Sequence, residues 1–133
     1  MSKKKDPLRL AAKSKAVADL ASSTVTSGFL WKVGGSGLKL KHWKRRFFVL
    51  TDDNCLYYFK SPKDLSAMGM VLLPSYTITT TSKSENVGSR QFAFKAFNRL
   101  KGGARKYIFA AESAEEMKVW MNVMSLACIA FGA

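Results

Sequence analysis

The sequence predicts a mostly β fold: a seven-stranded antiparallel β-sandwich or barrel capped by a C-terminal α-helix. Seven short apolar or β-branched runs recur between residues 28 and 111, each bounded by Gly, Pro, Asn, Asp or Ser. That spacing belongs to an antiparallel all-β domain and not to a parallel sheet. A capping box, Ser113-Ala114-Glu115-Glu116, follows the last run. Beyond it Met117, Trp120, Met124 and Ala127 return at helical spacing. A chain of 133 residues suits one core and a short tail.

Residues 1–26 stand apart, rich in Lys, Ala and Ser and without an aromatic side chain. Asp6 is placed to cap a helix with Pro7 at its first position. Leu10, Val17 and Leu20 with several alanines draw a thin apolar stripe. The segment reads as a basic tail or a weak helix lying on the domain; a basic amphipathic segment that adds membrane affinity is the sharper alternative. The folded domain is expected over 27–130. Its first strand is Gly28–Val33. The second, Trp43–Thr51, turns at Asp52-Asp53-Asn54 into the third, Cys55–Lys60, which Ser61-Pro62 ends. Met68–Leu73 is the fourth, stopped by Pro74, and Tyr76–Thr80 the fifth. Gln91–Phe97 is the sixth and Arg105–Ala111 the seventh, joined through a turn at Gly102-Gly103. The helix runs to about Ile129, its Trp and Met stripe plugging one open end of the barrel.

Formal net charge is +13. Solubility alone does not require such an excess, so an anionic partner is expected: nucleic acid, an acidic protein or a membrane surface. The charge is clustered as well. No acid falls between Asp19 and Asp52, a stretch that holds Lys32, Lys39, Lys41, Lys44, Arg45 and Arg46. No apolar run reaches the ~18 residues of a membrane span, so membrane contact should be peripheral. Met1-Ser2-Lys3-Lys4-Lys5 has no apolar region after it and is not read as a secretory signal. Cys55 and Cys128 lie in apolar elements and are expected as reduced, packed thiols of a cytosolic protein. With one histidine, His42, and scattered acids, no nucleophile–base pair or metal cluster can be assembled; neither an enzyme nor a cofactor is expected.

The cations have an order. Lys32 closes the first strand, and Lys44-Arg45-Arg46 opens the second across the basic, glycine-rich loop Val33–Lys41. Strand alternation puts Lys44, Arg46, Phe48 and Leu50 on one face and Arg45, Phe47 and Val49 on the other. One face thus passes from cations at an open end to apolar residues deeper in, and Lys32 with Leu30 repeats the arrangement. Arg46 can fork onto a phosphate, while Lys32 and Lys44 act as movable point charges. The amides of Gly34 and Gly35 can approach an anion closely, and Lys39 and Lys41 add charge. Leu38 and Leu40, between lysines, either dip into a bilayer interface or pack on an extended hairpin. On charge alone nucleic acid is the rival, with Trp31, Trp43, Tyr57 and Tyr58 available to stack bases. The basic turn at Asn98, Arg99 and Lys101 reads as a solvated hairpin tip.

Gly28-Phe29-Leu30-Trp31-Lys32, Trp43-Lys44-Arg45-Arg46-Phe47-Phe48-Val49-Leu50, Asn54-Cys55-Leu56-Tyr57-Tyr58-Phe59-Lys60 and the helix Trp120 together resemble a pleckstrin homology (PH) domain over about residues 27–130. The first three strands are similar to those of the cytohesin exchange factors, and Gly69–Tyr76 to the PEPP-type members. In that family a basic residue ending the first strand, followed by K/R-x-R in the second, marks phosphoinositide binders. The resemblance therefore implies that Lys32 and Arg46 hold the inositol phosphates nearest the strands, beside Lys44, and that Tyr58 donates its hydroxyl to a phosphate. It implies a cytoplasmic module recruited peripherally to phosphoinositide-bearing membrane. A protein-binding domain with weak anionic-lipid affinity is the alternative. Nucleic acid loses ground, because the aromatics belong to the family's hydrophobic pattern and no RNP-like signature is present. Two departures weigh against tight trisphosphate binding: Met68 stands where the cytohesin-type members carry an arginine before the glycine, and the turn between the sixth and seventh strands is short.

Overall fold

The computed structural model describes residues 12–34, 42–98 and 106–129. A 3-10 helix, Val17–Ser23, leads into seven strands: β1 (Thr24–Gly34), β2 (His42–Thr51), β3 (Cys55–Phe59), β4 (Gly69–Leu72), β5 (Tyr76–Thr80), β6 (Ala93–Asn98) and β7 (Tyr107–Ala110). Helix α1, Ala114–Ile129, closes the order. The strands form one sheet in the order β4-β3-β2-β1-β7-β6-β5, with antiparallel registers from β2 to β4 and from β1 through β7 and β6 to β5. The mostly β, seven-strands-and-a-helix architecture is the one expected.

Element ends differ where side chains compete for the backbone. β1 starts at Thr24 and not Gly28, because Thr24-Val25-Thr26 is β-branched and suits extended backbone. β3 stops at Phe59: the Asp64 carboxylate accepts the Lys60 N–H at 3.0 Å and turns the chain out of the ladder. β6 begins at Ala93 and runs on to Asn98. The Gly102-Gly103 turn and the Asp6-Pro7 helix start lie outside the described residues.

Two compact units divide the chain, Met1–Gly28 with Arg46–Leu72, and Phe29–Arg45 with Leu73–Ala133. In the first, β2, β3 and β4 form a meander whose hairpin turns at Asn54, φ 65°. Thr51 Oγ1 donates to the Asp53 carboxylate and lies 3.1 Å from the Cys55 carbonyl. Both faces of this meander are covered. Phe48, Leu50 and Leu56 are buried on one face. On the other, the cross-strand pairs Phe47 with Phe59 and Val49 with Tyr57 meet Cys55, Ala67 and Met70. That second face is roofed by Ala12, Val17 and Leu20. The unbroken apolar runs Phe47–Leu50 and Cys55–Phe59 follow from two-sided burial, since a strand buried on both faces has no polar phase. The segment before β1 is held by backbone bonds as well: Val17 N–H to the Asp64 carbonyl, Ala67 N–H to Lys15, Asp52 N–H to Ser23.

In the second unit, Leu30, Leu73, Phe94, Ala96, Phe109 and Ala110 are fully buried. The Phe94 and Phe109 rings face each other across the β6–β7 pair at 5.3 Å. α1 packs on β5 and β6, burying Trp120, Met124 and Ala127 as the spacing predicts. Its N-terminus carries the predicted cap: Glu116 N–H donates to Ser113 Oγ at 3.1 Å, and Ser113 Oγ donates to the Glu116 carboxylate. Glu116 thus answers the cap hydroxyl and not the cap N–H.

Candidate anion-binding site

β2 presents the expected gradient along one face. Lys44 is exposed, Arg46 half-buried, and Phe48 and Leu50 are sealed at 0% and 1% exposure. The alternate face behaves differently at its start. Arg45 places its guanidinium carbon 3.9 Å from the Phe29 ring centroid and its Nε 3.9 Å from Glu112. Of the three consecutive cations, the middle one is therefore engaged on the opposite side from the other two.

Among the described residues of the candidate set, Lys32 is the most buried cation, at 7% exposure. Leu30, on the same face of β1, is at 0%, and β7 fixes the register by pairing Trp31 with Ala110 and Lys32 with Phe109. The lysine stem is packed, and its amine donates to the Val33 carbonyl at 3.4 Å, long for such a bond. Gly34 ends β1. Gly35, Lys39 and Lys41, together with Leu38 and Leu40, lie outside the described residues, as do Arg99 and Lys101.

In the first unit Tyr58 pairs with Phe48 on one side and with Gly69 on the other. Its ring lies 5.6 Å from that of Phe48, and its hydroxyl end lies against Gly69. A Cβ at Gly69 would meet the ring at 2.6 Å and 2.9 Å. Glycine is needed here to seat the tyrosine, a reason distinct from backbone freedom. Met68 is half-buried and donates its N–H to the Tyr58 carbonyl at 2.8 Å.

Behind the cations of the second unit runs a layer that sequence reasoning missed. Arg90, from the β5–β6 connection, stacks its guanidinium 3.9 Å from the Trp31 ring and 5.6 Å from Trp43. Trp31 donates its indole N–H to Glu112 at 2.8 Å. Trp31 and Trp43 immediately precede Lys32 and Lys44, so the strand positions bearing the two lysines are braced from the other face. That connection is itself pinned by Glu85, whose side chain is 5% exposed. Glu85 accepts from Lys95 at 2.8 Å, Lys106 at 3.0 Å and the Ser82 N–H at 2.6 Å. Burial pulls its pKa upward, but these donors outweigh it and hold the carboxyl down from 4.5 to about 2. A lone Glu in a Ser/Thr/Lys stretch gives no sequence signal of this role.

Burial, aided by the Asp53 carboxylate, pushes the Cys55 thiol up to about 11, and burial does the same to Cys128. Both cysteines are free, and both are held as thiols at neutral pH. Among the described residues no group of three His, Cys, Asp or Glu side chains could hold a metal.

The family model described as PH domain matches residues 24–129. The chain belongs to the PH domain family. PH domains are modules that commonly bind phosphoinositides or proteins. The chain is 40% identical over 105 residues to pleckstrin homology domain-containing family A member 7 of Danio rerio, covering 79% of this chain and 8% of that protein. It is 37% identical over 100 residues to the human family A member 5, covering 75% and 8%. The chain thus spans under a tenth of these relatives' length. Among solved structures it resembles the human family A member 5 PH domain at TM-score 0.68 and 32% identity, covering 99% of this chain and 88% of that one. The C-terminal PH domain of pleckstrin in complex with D-myo-Ins(1,2,3,4,5)P5 aligns at TM-score 0.62 and 21% identity, covering 78% and 97%. These likenesses extend to the PH fold as a whole.

Proposed function

We propose that this PH domain recruits its parent protein to membrane by binding phosphoinositide headgroups, with Lys32, Lys44 and Arg46 as phosphate ligands and Tyr58 as a hydroxyl donor. One observation carries the reading: the face of β2 passes from exposed Lys44 through half-buried Arg46 to sealed Phe48. A solvated strand face has no reason to continue into core on the same side. Two cations one side-chain repeat apart, anchored on core, suit a multiply charged anion. The Lys32 bond to its neighbour's carbonyl is long at 3.4 Å, and an ionised phosphate oxygen at ordinary distance is a stronger acceptor for the ammonium than a neutral carbonyl. The pleckstrin neighbour's inositol pentakisphosphate supports the ligand class. Met68 and the short stretch of sequence between β6 and β7 favour a bisphosphate, a monophosphate or a broad anionic preference over selective trisphosphate binding.

The test is partition onto vesicles that each carry a single phosphoinositide, against vesicles of phosphatidylserine matched in charge. Lys32→Ala and Arg46→Ala should each abolish the phosphoinositide preference, with losses of about tenfold or more per charge-assisted contact. Equal binding of wild type to both vesicle types refutes headgroup recognition. Competition by oligonucleotides at physiological salt would favour a nucleic-acid partner instead.

A further inference from the structure

The loop from Ser61 to Met68 is laced to the segment 12–17. Val17 N–H donates to the Asp64 carbonyl at 3.2 Å, and Ala67 N–H to the Lys15 carbonyl at 3.0 Å. The Ser66 hydroxyl donates to the Lys13 carbonyl at 2.9 Å. Beneath this seam Ala12 and Ala67 are buried. Asp64 is spent locally too, its carboxylate accepting the Lys60 N–H at 3.0 Å and the Ser61 hydroxyl at 2.8 Å. Both sequence neighbours of Leu65 are therefore tied back, and Leu65 stands out at 82% exposure. Lys60 and Lys63, in or beside the loop, are exposed, and so are Lys13 and Lys15, whose carbonyls take up the loop. Among the described residues before β1 the one acid is Asp19, which accepts the Ala16 N–H.

A single exposed leucine is ordinary. One whose sequence neighbours are both tied back, on a loop that carries Lys63, follows Lys60 and is bonded to the backbone of Lys13 and Lys15, joins an apolar tip to exposed cations on the same two segments, a combination suited to an anionic interface. We propose that Leu65 with Lys13, Lys15, Lys60 and Lys63 forms a second membrane-contact surface, fitted to anionic bilayer and separate from the headgroup residues. It rests on the membrane-recruitment reading above but on none of Lys32, Lys44, Arg46 or Tyr58. Each lysine brought to an anionic leaflet strengthens partition about fivefold. The leucine adds an apolar anchor that phosphoinositide stereochemistry does not touch. The segment before β1 gains a function: it positions two of the lysines and holds the leucine outward.

The experiment measures partition onto phosphatidylcholine vesicles containing phosphatidylserine, with and without a phosphoinositide, beside binding of a soluble inositol phosphate. Leu65→Ala should weaken partition onto both vesicle types about three- to tenfold. Leu65→Trp should strengthen it, since tryptophan favours the interface. Lys13→Glu with Lys15→Glu should weaken both by tenfold or more and flatten the salt dependence. All three should leave soluble headgroup binding unchanged. Vesicle partition unaltered by both Leu65 variants overturns the proposal and leaves the loop to a protein partner. Parallel loss of soluble headgroup binding also overturns it, because Leu65 would then act through the fold. If the phosphoinositide preference is absent while the Leu65 variants still shift partition, the headgroup reading fails and this surface stands. Wild type that ignores every vesicle overturns both.

Discussion

Replacing Glu85 with glutamine tests whether one buried carboxylate organises the β5–β6 connection. The folded-state pKa is held at about 2 against an ordinary 4.5, a depression that corresponds to about 3 kcal/mol of stability at neutral pH. A carboxyl with a depressed folded pKa stabilises most when both states are ionised. The contribution is therefore complete above about pH 4.5 and is lost as pH falls through about 2. Glu85→Gln keeps the shape but gives Lys95 and Lys106 a neutral acceptor, so roughly 2–3 kcal/mol should be missing at pH 7. Urea unfolding of both proteins between pH 2 and pH 7 reads this directly. The gap between them should be widest at neutral pH and should narrow steadily below about pH 4.5. Other acids contribute equally to both curves and cancel in the difference. Parallel curves across the window would refute the reasoning, because the carboxyl would then be titrating alike in the folded and unfolded chains.

Gly69→Ala should push the Tyr58 ring off its seat, costing about 1–3 kcal/mol by overpacking and lowering headgroup affinity. In a Tyr58→Phe background the same change should leave headgroup affinity alone, which calorimetry on the four proteins of the cycle would measure. Arg90→Ala should lower the thermal midpoint and change tryptophan emission, with about 1–2 kcal/mol lost along with its contacts to the two indole rings. Arg90→Lys should recover only part of that, as it keeps the charge but not the planar stack; full recovery would mean that charge alone matters there.

The elements most readable from the sequence were those with local chemistry. Ser113 and Glu116 announce the start of α1 because a cap is satisfied within one turn, and Trp120 and Met124 show its buried face by spacing. The Asp52-Asp53-Asn54 turn was readable because asparagine tolerates the left-handed backbone that it adopts here. Lys44, Arg46 and Phe48 could be sorted onto one face because strand alternation is fixed. What escaped notice depends on pairings between distant residues. The roof over Val49 and Tyr57 is built from Ala12, Val17 and Leu20, a stripe too thin to declare itself. The continuous apolar runs of β2 and β3 carried the clue, since they demanded cover on both sides. Arg90 and Glu112 lie 59 and 81 residues beyond Trp31 in a chain of 133, and nothing local links them. Ser75 takes a left-handed φ of 84° without the glycine or asparagine that would flag it.

The roof over the β2–β3 face also bears on how such a domain is best cut from its parent. The shared family pattern starts at residue 24, yet the apolar surface of Val49, Tyr57 and Phe59 is closed by residues before that point. A fragment trimmed to the family boundary would present two strands' worth of uncovered aromatic and aliphatic side chains to water, an invitation to self-association. It would also release the tethers that hold Leu65 outward and remove two of its lysines. Lipid affinities measured on the trimmed and untrimmed fragments would then describe two different surfaces, and any ranking of relatives by affinity would need their leading segments matched first.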